Sequence, residues 1–326
     1  MEKQIYIGID VSSATLDICV RQEATQQSFV INNQVKTIQS FLRKYSKQKL
    51  IIAMENTGRH NWMLYEALAE TKHLVYVISP LHLKKSMGLS RGKNDKVDAI
   101  RIVGFIEKNY KELKPWTCPT VGIQKLKILL TERRSRVKTK SQLLTQQRDY
   151  TKMKKLGLDR SLQKMNEQLV AKIEQQIGKI EEQIEQVIQT DESLKQQSSL
   201  MRTIPGVGKI LCWMVLAKTE GFTIVNDPRK MACYSGVVPF DFQSGTSIRG
   251  KQRVSVFADK SMKCVLHLAA LSAIRLENDL KHYYARKVGE GKNKMSVLNA
   301  VRNKILHRIF AVIKSQTPYK LSLELS

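Results

Sequence analysis

The sequence predicts an α/β N-terminal domain built on a mixed sheet, a long helical, coiled-coil-like middle, and a mainly α C-terminal domain. Three observations carry this reading. Three strand-like runs open the chain, and helix–strand alternation follows them. Almost nothing between Val121 and Val187 interrupts a helix. Beyond Ser199 the apolar spacing is again helical, around one loop-rich stretch. The boundaries fall at 1–115, 116–198 and 199–326, and 326 residues suffice for more than one core.

Residues 4–10, 15–21 and 28–32 are expected as successive strands, the first two joined by Val11-Ser12-Ser13-Ala14. Thr37–Tyr45 is a short amphipathic helix. Leu50–Met54 is continuously apolar, which suits a buried central strand. Asn61–Thr71 follows as a helix and Leu74–Ser79 as a strand, with Pro80 stopping the sheet. Met87–Asn94 is polar, basic and glycine-punctuated, so a mobile surface loop is expected before a helix from Asp95 to about Lys108. The prolines in Lys114-Pro115-Trp116-Thr117-Cys118-Pro119 end the first domain.

In the middle region, only the neighbourhood of Gly157 breaks the helical pattern. Arg133, Arg134, Arg136, Lys138 and Lys140 make its first half strongly basic. In its second half Ile173, Ile177, Ile180, Ile184 and Val187 recur at heptad spacing. That seam serves equally an intramolecular hairpin and a dimer-forming coil. In the third region, Leu200–Lys209 leads into a helical run through Lys218. Gly236–Val256 is loop-rich, and Asp259–Leu276 and Asn293–Lys314 are helix-patterned.

Lys and Arg total 55 against 29 Asp and Glu, a formal net charge of +26. Such an excess attracts polyanions by counterion release, and nucleic acid is the expected partner. No run of 18 apolar residues and no signal-peptide core is present, so a soluble cytoplasmic, nucleoid-associated protein without a membrane partner is expected. The five cysteines are scattered without a Cys-x-x-Cys pair, and six unclustered histidines add no zinc site.

Against this basic background four carboxylates stand out. Asp10 ends the first strand and Glu55 follows the central one. Asp95 and Asp98, three apart, share a face near a helix start. Gly8 and Gly58 flank the point where these could meet. Phosphodiester chemistry needs charge neutralised on both sides of the phosphorus, and convergent carboxylates holding Mg2+ or Mn2+ can do this. Asp95 and Asp98 alone also fit a helix-capping arrangement, Asp10 a strand-end turn, and Glu55 a solvated loop. The four together, in order, favour metal.

Two further motifs bear on phosphate. Ile204-Pro205-Gly206-Val207-Gly208 resembles the hairpin of a helix-hairpin-helix element, whose backbone amides, here with Lys209, can bind phosphate without reading sequence. A plain structural turn is the alternative. Ser244-Gly245-Thr246-Ser247-Ile248-Arg249-Gly250-Lys251 places hydroxyls between glycines beside basic residues, to cradle a phosphate or present a nucleophile. The residues themselves also allow a simple turn, and no histidine lies near in sequence to activate a serine.

Together these motifs resemble the DEDD-type transposases of insertion sequences, a family that includes the Piv-type site-specific DNA invertases. The likeness runs through Tyr6-Ile7-Gly8-Ile9-Asp10, Glu55-Asn56-Thr57-Gly58, Lys93-Asn94-Asp95-Lys96-Val97-Asp98-Ala99, the glycine turn, Tyr234-Ser235-Gly236-Val237-Val238-Pro239 and the serine loop. The resemblance implies a RuvC-like, ribonuclease H-type N-terminal fold. It implies that Asp10, Glu55, Asp95 and Asp98 are the metal-binding catalytic tetrad and that Ser244 is a nucleophile forming a covalent phosphoserine. It also implies phosphate contacts at Arg249, a homo-oligomer (dimer or tetramer), donor and target DNA, and in many members a structured guide RNA. Gly206, Gly208, Lys209, Lys251, Arg133, Arg134 and Lys138 are the further expected nucleic-acid contacts. Two other functions remain on the sequence alone: a water-using nuclease that resolves Holliday junctions, and a basic protein that binds nucleic acid without chemistry.

Overall fold

A computed structural model describes residues 4–86, 95–244 and 248–320; the side chains at 59, 95, 151 and 240–253 lie outside that description. The expected basic loop at 87–94 therefore lies outside the described residues. The chain forms two compact units, Met1–Cys118 and Pro119–Ser326.

The first unit contains β1 (Ile5–Val11), β2 (Thr15–Gln22), β3 (Thr25–Asn32), α1 (Val35–Arg43), β4 (Leu50–Glu55), α2 (Trp62–Leu68), β5 (Leu74–Ile78), α3 (Pro80–Ser86) and α4 (Asp95–Asn109). The strands form one five-stranded sheet in the order β3-β2-β1-β4-β5. β2 runs antiparallel to both neighbours, while β1, β4 and β5 are parallel. This is the mixed α/β sheet the sequence predicted. Its order fits the ribonuclease H-type arrangement implied by the resemblance.

Strand alternation divides the core. Ile7, Ile9, Leu16, Ile18, Ile52 and Met54 face α1 and α2. Ile51, Ala53 and Tyr76 face Ile102, Phe105 and Ile106 of α4. β4 is buried on both sides, which explains its unbroken apolar run. β3 starts three residues earlier than its apolar pattern suggests. It is an edge strand, and polar Thr25, Gln26 and Gln27 pair with β2 while facing solvent. Pro80 does more than stop the sheet: it begins α3, where its missing amide costs nothing.

The second unit contains α5 (Val121–Tyr150), α6 (Asp159–Thr190), α7 (Glu192–Arg202), α8 (Lys209–Thr219), α9 (Pro228–Tyr234), β6 (Phe240–Ser244), β7 (Ile248–Arg253), α10 (Lys260–Ala273), α11 (Asp279–Gly289) and α12 (Lys294–Ser315). α5 and α6 form an antiparallel hairpin. Its cross-links step outward symmetrically from Gly157: Gln147–Glu167 at 3.1 Å, Lys140–Glu174 at 2.6 Å and Arg133–Glu181 at 2.6 Å. Of the expected seam, Ile180 and Ile184 are buried within the chain, while Ile173, Ile177 and Val187 are half-buried. Ile180, Ile184 and Ile188 join Ile123 and Leu126 in the same core as Leu211, Trp213, Leu266 and Ile305. The helical region expected at 116–198 and the region expected at 199–326 therefore share one hydrophobic core.

The stretch read as loop-rich holds the antiparallel pair β6–β7. Burial pushes the Cys212 thiol up to about 12, so it stays protonated at neutral pH. No disulfide joins any of the five cysteines. No helix among the described residues is long and apolar enough to cross a membrane.

Candidate active site

Register places the first two carboxylates. β1 and β4 pair in parallel up to Ile9↔Met54, so Asp10 and Glu55 occupy the next step on neighbouring strands. Adjacent strands lie about 4.8 Å apart. Ile9, Val11 and Met54 belong to the opposite core face, so Asp10 and Glu55 both project from the face that carries α4. Asp17, which sequence reasoning passed over, is paired directly with Asp10 across β2. Its neighbours Leu16 and Ile18 are buried on the other face, so Asp17 shares the face of Asp10. Three carboxylates thus stand in a row on three adjacent strands, each half-buried.

The direction of α4 brings in the rest. A Cβ added at Gly8 would meet the Ala99 carbonyl oxygen at 2.4 Å and the Val103 amide nitrogen at 2.5 Å, so this helix backbone lies directly on the strand. Further toward the start of β1, Tyr6 touches Tyr110 with ring centroids 5.8 Å apart. Arg21, paired with Tyr6 in the sheet, binds Glu107 at 2.8 Å. The helix therefore runs antiparallel to β1, with its N-terminus at the Asp10 end. Residue 95 is its first residue, and Asp98 lies within the first turn. The Asp98 carboxylate accepts a 2.8 Å hydrogen bond from the Arg101 guanidinium. Among the described residues, no three acidic, histidine or cysteine side chains close on a common point where they could hold a metal.

Two asparagines hold the strand ends. Asn61 is fully buried: its amide donates to the Glu55 carbonyl oxygen at 2.9 Å, and its Oδ1 accepts from the Thr57 amide and hydroxyl at 2.8 and 2.7 Å. Asn33 donates from one amide to the carbonyls of Ser12 and His60, at 2.9 and 3.0 Å. It therefore ties the turn after Asp10 to the turn after Glu55. Neither residue had a sequence signal, because each acts through turns that only the fold brings together.

In the second unit, Ser244 is the last residue of β6 and pairs with Ile248 of β7; residues 245–247 lie outside the described residues. Arg249 and Lys251 lie on β7. The root of this strand pair is clamped. Asp259 donates its amide to the Tyr234 carbonyl at 2.8 Å, and the Tyr234 hydroxyl donates to the Asp259 carboxylate at 3.1 Å. Lys218 binds that carboxylate at 2.8 Å. Burial pushes the Asp259 carboxyl up, but Lys218, the Ser261 hydroxyl and the Met262 amide outweigh it and hold the carboxyl well below the usual range.

The glycine turn joins α7 to α8. Gly206 sits at φ +83°, and a Cβ there would lie 2.3 Å from the Ala269 carbonyl oxygen, so this glycine lets the turn lie against α10. Gly208 caps α8, and Lys209 stands 3.6 Å from Glu185. The turn borders an open groove of about 390 Å³. On α5 the Arg133 side chain is engaged by Glu181 across the hairpin, while Arg134 and Lys138 are exposed.

Comparison with known proteins places both units. A transposase family model of the DEDD, IS110 type matches residues 7–152. The model of the Transposase IS116/IS110/IS902 family matches residues 198–285. The pilin gene-inverting protein of Moraxella lacunata is 27% identical over 323 residues, covering 96% of this chain and 97% of that protein. Its counterpart from Moraxella bovis is 26% identical over 324 residues, with the same coverage. A solved T. thermophilus RuvC in complex with Holliday junction substrate aligns with 35% of this chain and 99% of its own, at 14% identity. Its TM-score of 0.26 is too low to carry an argument.

Proposed function

The chain belongs to the IS110-type transposase family, and from that premise we propose that it is a DNA recombinase which cleaves and rejoins strands through a carboxylate-held divalent metal and a serine nucleophile. The observation that carries this reading is the placement of Asp10 and Glu55 side by side on parallel strands, under the N-terminus of the helix bearing Asp95 and Asp98. Hard carboxylate oxygens on rigid strand ends suit Mg2+ or Mn2+. Asp10, Glu55, Asp95 and Asp98 would hold it, and when bound it supplies neutralisation of the charge that develops on the phosphate oxygens. Asp17, opposite Asp10, adds negative charge to the same face.

In this reading Ser244 attacks the scissile phosphorus. Its hydroxyl proton leaves as the Oγ–P bond forms. The bond from phosphorus to a deoxyribose oxygen breaks, and that oxygen takes a proton. The phosphoserine conserves the phosphodiester bond energy, so rejoining needs no nucleotide cofactor. Arg249 and Lys251 on β7 and Lys209 at the glycine turn supply positive charge for phosphate contacts. Exposed Arg134 and Lys138 on α5 extend that charge for donor and target DNA, and for a structured guide RNA. Exposed Leu156, Leu158, Met165 and Leu169 near the hairpin tip supply apolar surface for a homo-oligomer, dimer or tetramer.

The test is covalent trapping. A nicked or suicide DNA substrate with Mg2+ should remain attached to the wild-type protein, and Ser244→Ala should abolish the adduct while Asp10→Asn suppresses both cleavage and adduct. An adduct formed by the Ser244→Ala protein would overturn the assignment. Cleavage without any adduct, unaffected by Ser244→Ala, would make water the nucleophile instead.

A further inference from the structure

Arg302, on α12, is only 5% exposed, yet no carboxylate among the described residues answers its charge. Its guanidinium meets the Nδ1 of His267 on α10 at 2.6 Å and the Oδ1 of Asn299 at 3.3 Å, and its Nε has no hydrogen-bond partner among the described residues. Burial and the adjacent guanidinium push the His267 imidazole down, so the ring is neutral and its Nδ1 accepts. Arginine therefore keeps a full positive charge here, solvated by two neutral groups, with its buried Nε–H unpaired among the described residues. Burying an unbalanced charge is costly, and arginine cannot escape by losing its proton.

The location says what would balance it. Asn299, one turn from Arg302 on the same helix, donates to the carbonyl of Val237, three residues before β6. Two residues before Val237, the buried Ser235 hydroxyl also has no hydrogen-bond partner among the described residues. On α10, Cys264 and Leu268 flank His267 and are exposed, so the cluster lies just beneath the surface. A planar guanidinium with a spare N–H matches a tetrahedral oxyanion, which can take two hydrogen bonds from it. We propose that Arg302, oriented by His267 and Asn299, is the receiving group of a phosphate-oxyanion site at the root of the β6–β7 pair. A nucleic-acid phosphodiester and a free phosphate share this chemistry. The phosphodiester as occupant rests on the recombinase reading, whereas the oxyanion site does not.

Melting of the full chain in inorganic phosphate against chloride at matched ionic strength tests the site, with wild type, Arg302→Met and the exposed-lysine control Lys304→Met. Wild type and Lys304→Met should gain melting temperature in phosphate. Arg302→Met should melt at or above wild type in chloride and lose the phosphate-specific gain. An equal gain in Arg302→Met, or none in wild type, overturns the proposal. Should Arg302→Met not fold, the 15N-arginine spectrum of the wild type decides: the Arg302 Nε–H resonance must shift with phosphate, and an unmoved resonance overturns the site. A short DNA duplex that displaces phosphate from Arg302, and binds roughly tenfold more weakly to Arg302→Lys, identifies a phosphodiester as occupant; phosphate binding without such competition identifies a free oxyanion. Trapping at Ser244 is read separately, so loss of the adduct reading leaves this result standing.

Discussion

Gly8→Ala is the sharpest probe of how the N-terminal carboxylates are held. The added methyl carbon would lie 2.4 Å from the Ala99 carbonyl oxygen and 2.5 Å from the Val103 amide nitrogen, where ordinary contacts begin at 3.4 Å. Both neighbours are helix backbone, so no rotamer change relieves the clash, and α4 must lift by about 1 Å from β1. Overpacking of this kind costs roughly 1–3 kcal/mol, too little to unfold most domains. The lift displaces Asp98 relative to Asp10 and Glu55, and a misplacement of about 1 Å at a reacting centre can cost on the order of 100-fold in rate. Gly104→Ala on the same helix is the control, because its added carbon would meet only the Arg21 guanidinium, at 3.7 Å. Single-turnover cleavage of a DNA substrate in Mg2+, beside a thermal melt, should show Gly8→Ala folded but slow and Gly104→Ala close to wild type. Equal rates for Gly8→Ala and wild type would refute the argument that this close approach sets the position of the acids.

Three further outcomes are expected. Asn61→Ala removes three hydrogen bonds from a buried turn and should cost roughly 2–4 kcal/mol in denaturant titration; Asn61→Asp, of the same shape, should recover only part. Gly206→Ala combines a left-handed backbone with contact against α10 and should cost roughly 2–5 kcal/mol by the same measurement. Asp259→Asn should cost about 1–2 kcal/mol at neutral pH, discounted because Lys218 is 37% exposed. The folded carboxyl titrates below its unfolded value, so its stabilisation is present above about pH 4 and is lost as pH falls through the depressed value. Melts of the two proteins should therefore converge in acid; a difference that persists unchanged at the lowest pH would show that the charge contributes nothing.

Much of the N-terminal fold was legible because its signals are local. The apolar runs of β1 and β4 announce buried strands, and the acid at each end interrupts them visibly. What escaped depends on register or on contact between distant turns. Asp17 looks like any polar residue in an alternating strand until the β1–β2 pairing sets it against Asp10. Asn33 and Asn61 resemble ordinary loop residues, since their partners are carbonyls of turns up to 27 positions away. In the second unit the heptad seam was plain, but periodicity cannot distinguish a partner helix in the same chain from one in another. The ion pairs around Gly157 show α5 and α6 pairing within the chain. β6–β7 escaped because β6 is only five residues long and β7 carries a single large apolar residue, Ile248, among basic and polar ones, and α11 because a single buried leucine, Leu280, anchors it.

The mirror arrangement of α5 and α6 about Gly157 also restricts how this protein can change in length. An insertion in one arm alone would slide every cross-link beyond it out of step. Tolerated insertions should therefore arrive in matched pairs, equal numbers of residues in the outgoing and returning helices. Each matched pair would push the tip outward by about 1.5 Å and leave the packing at the base untouched. The reach of the hairpin tip is thus adjustable independently of the core at its base.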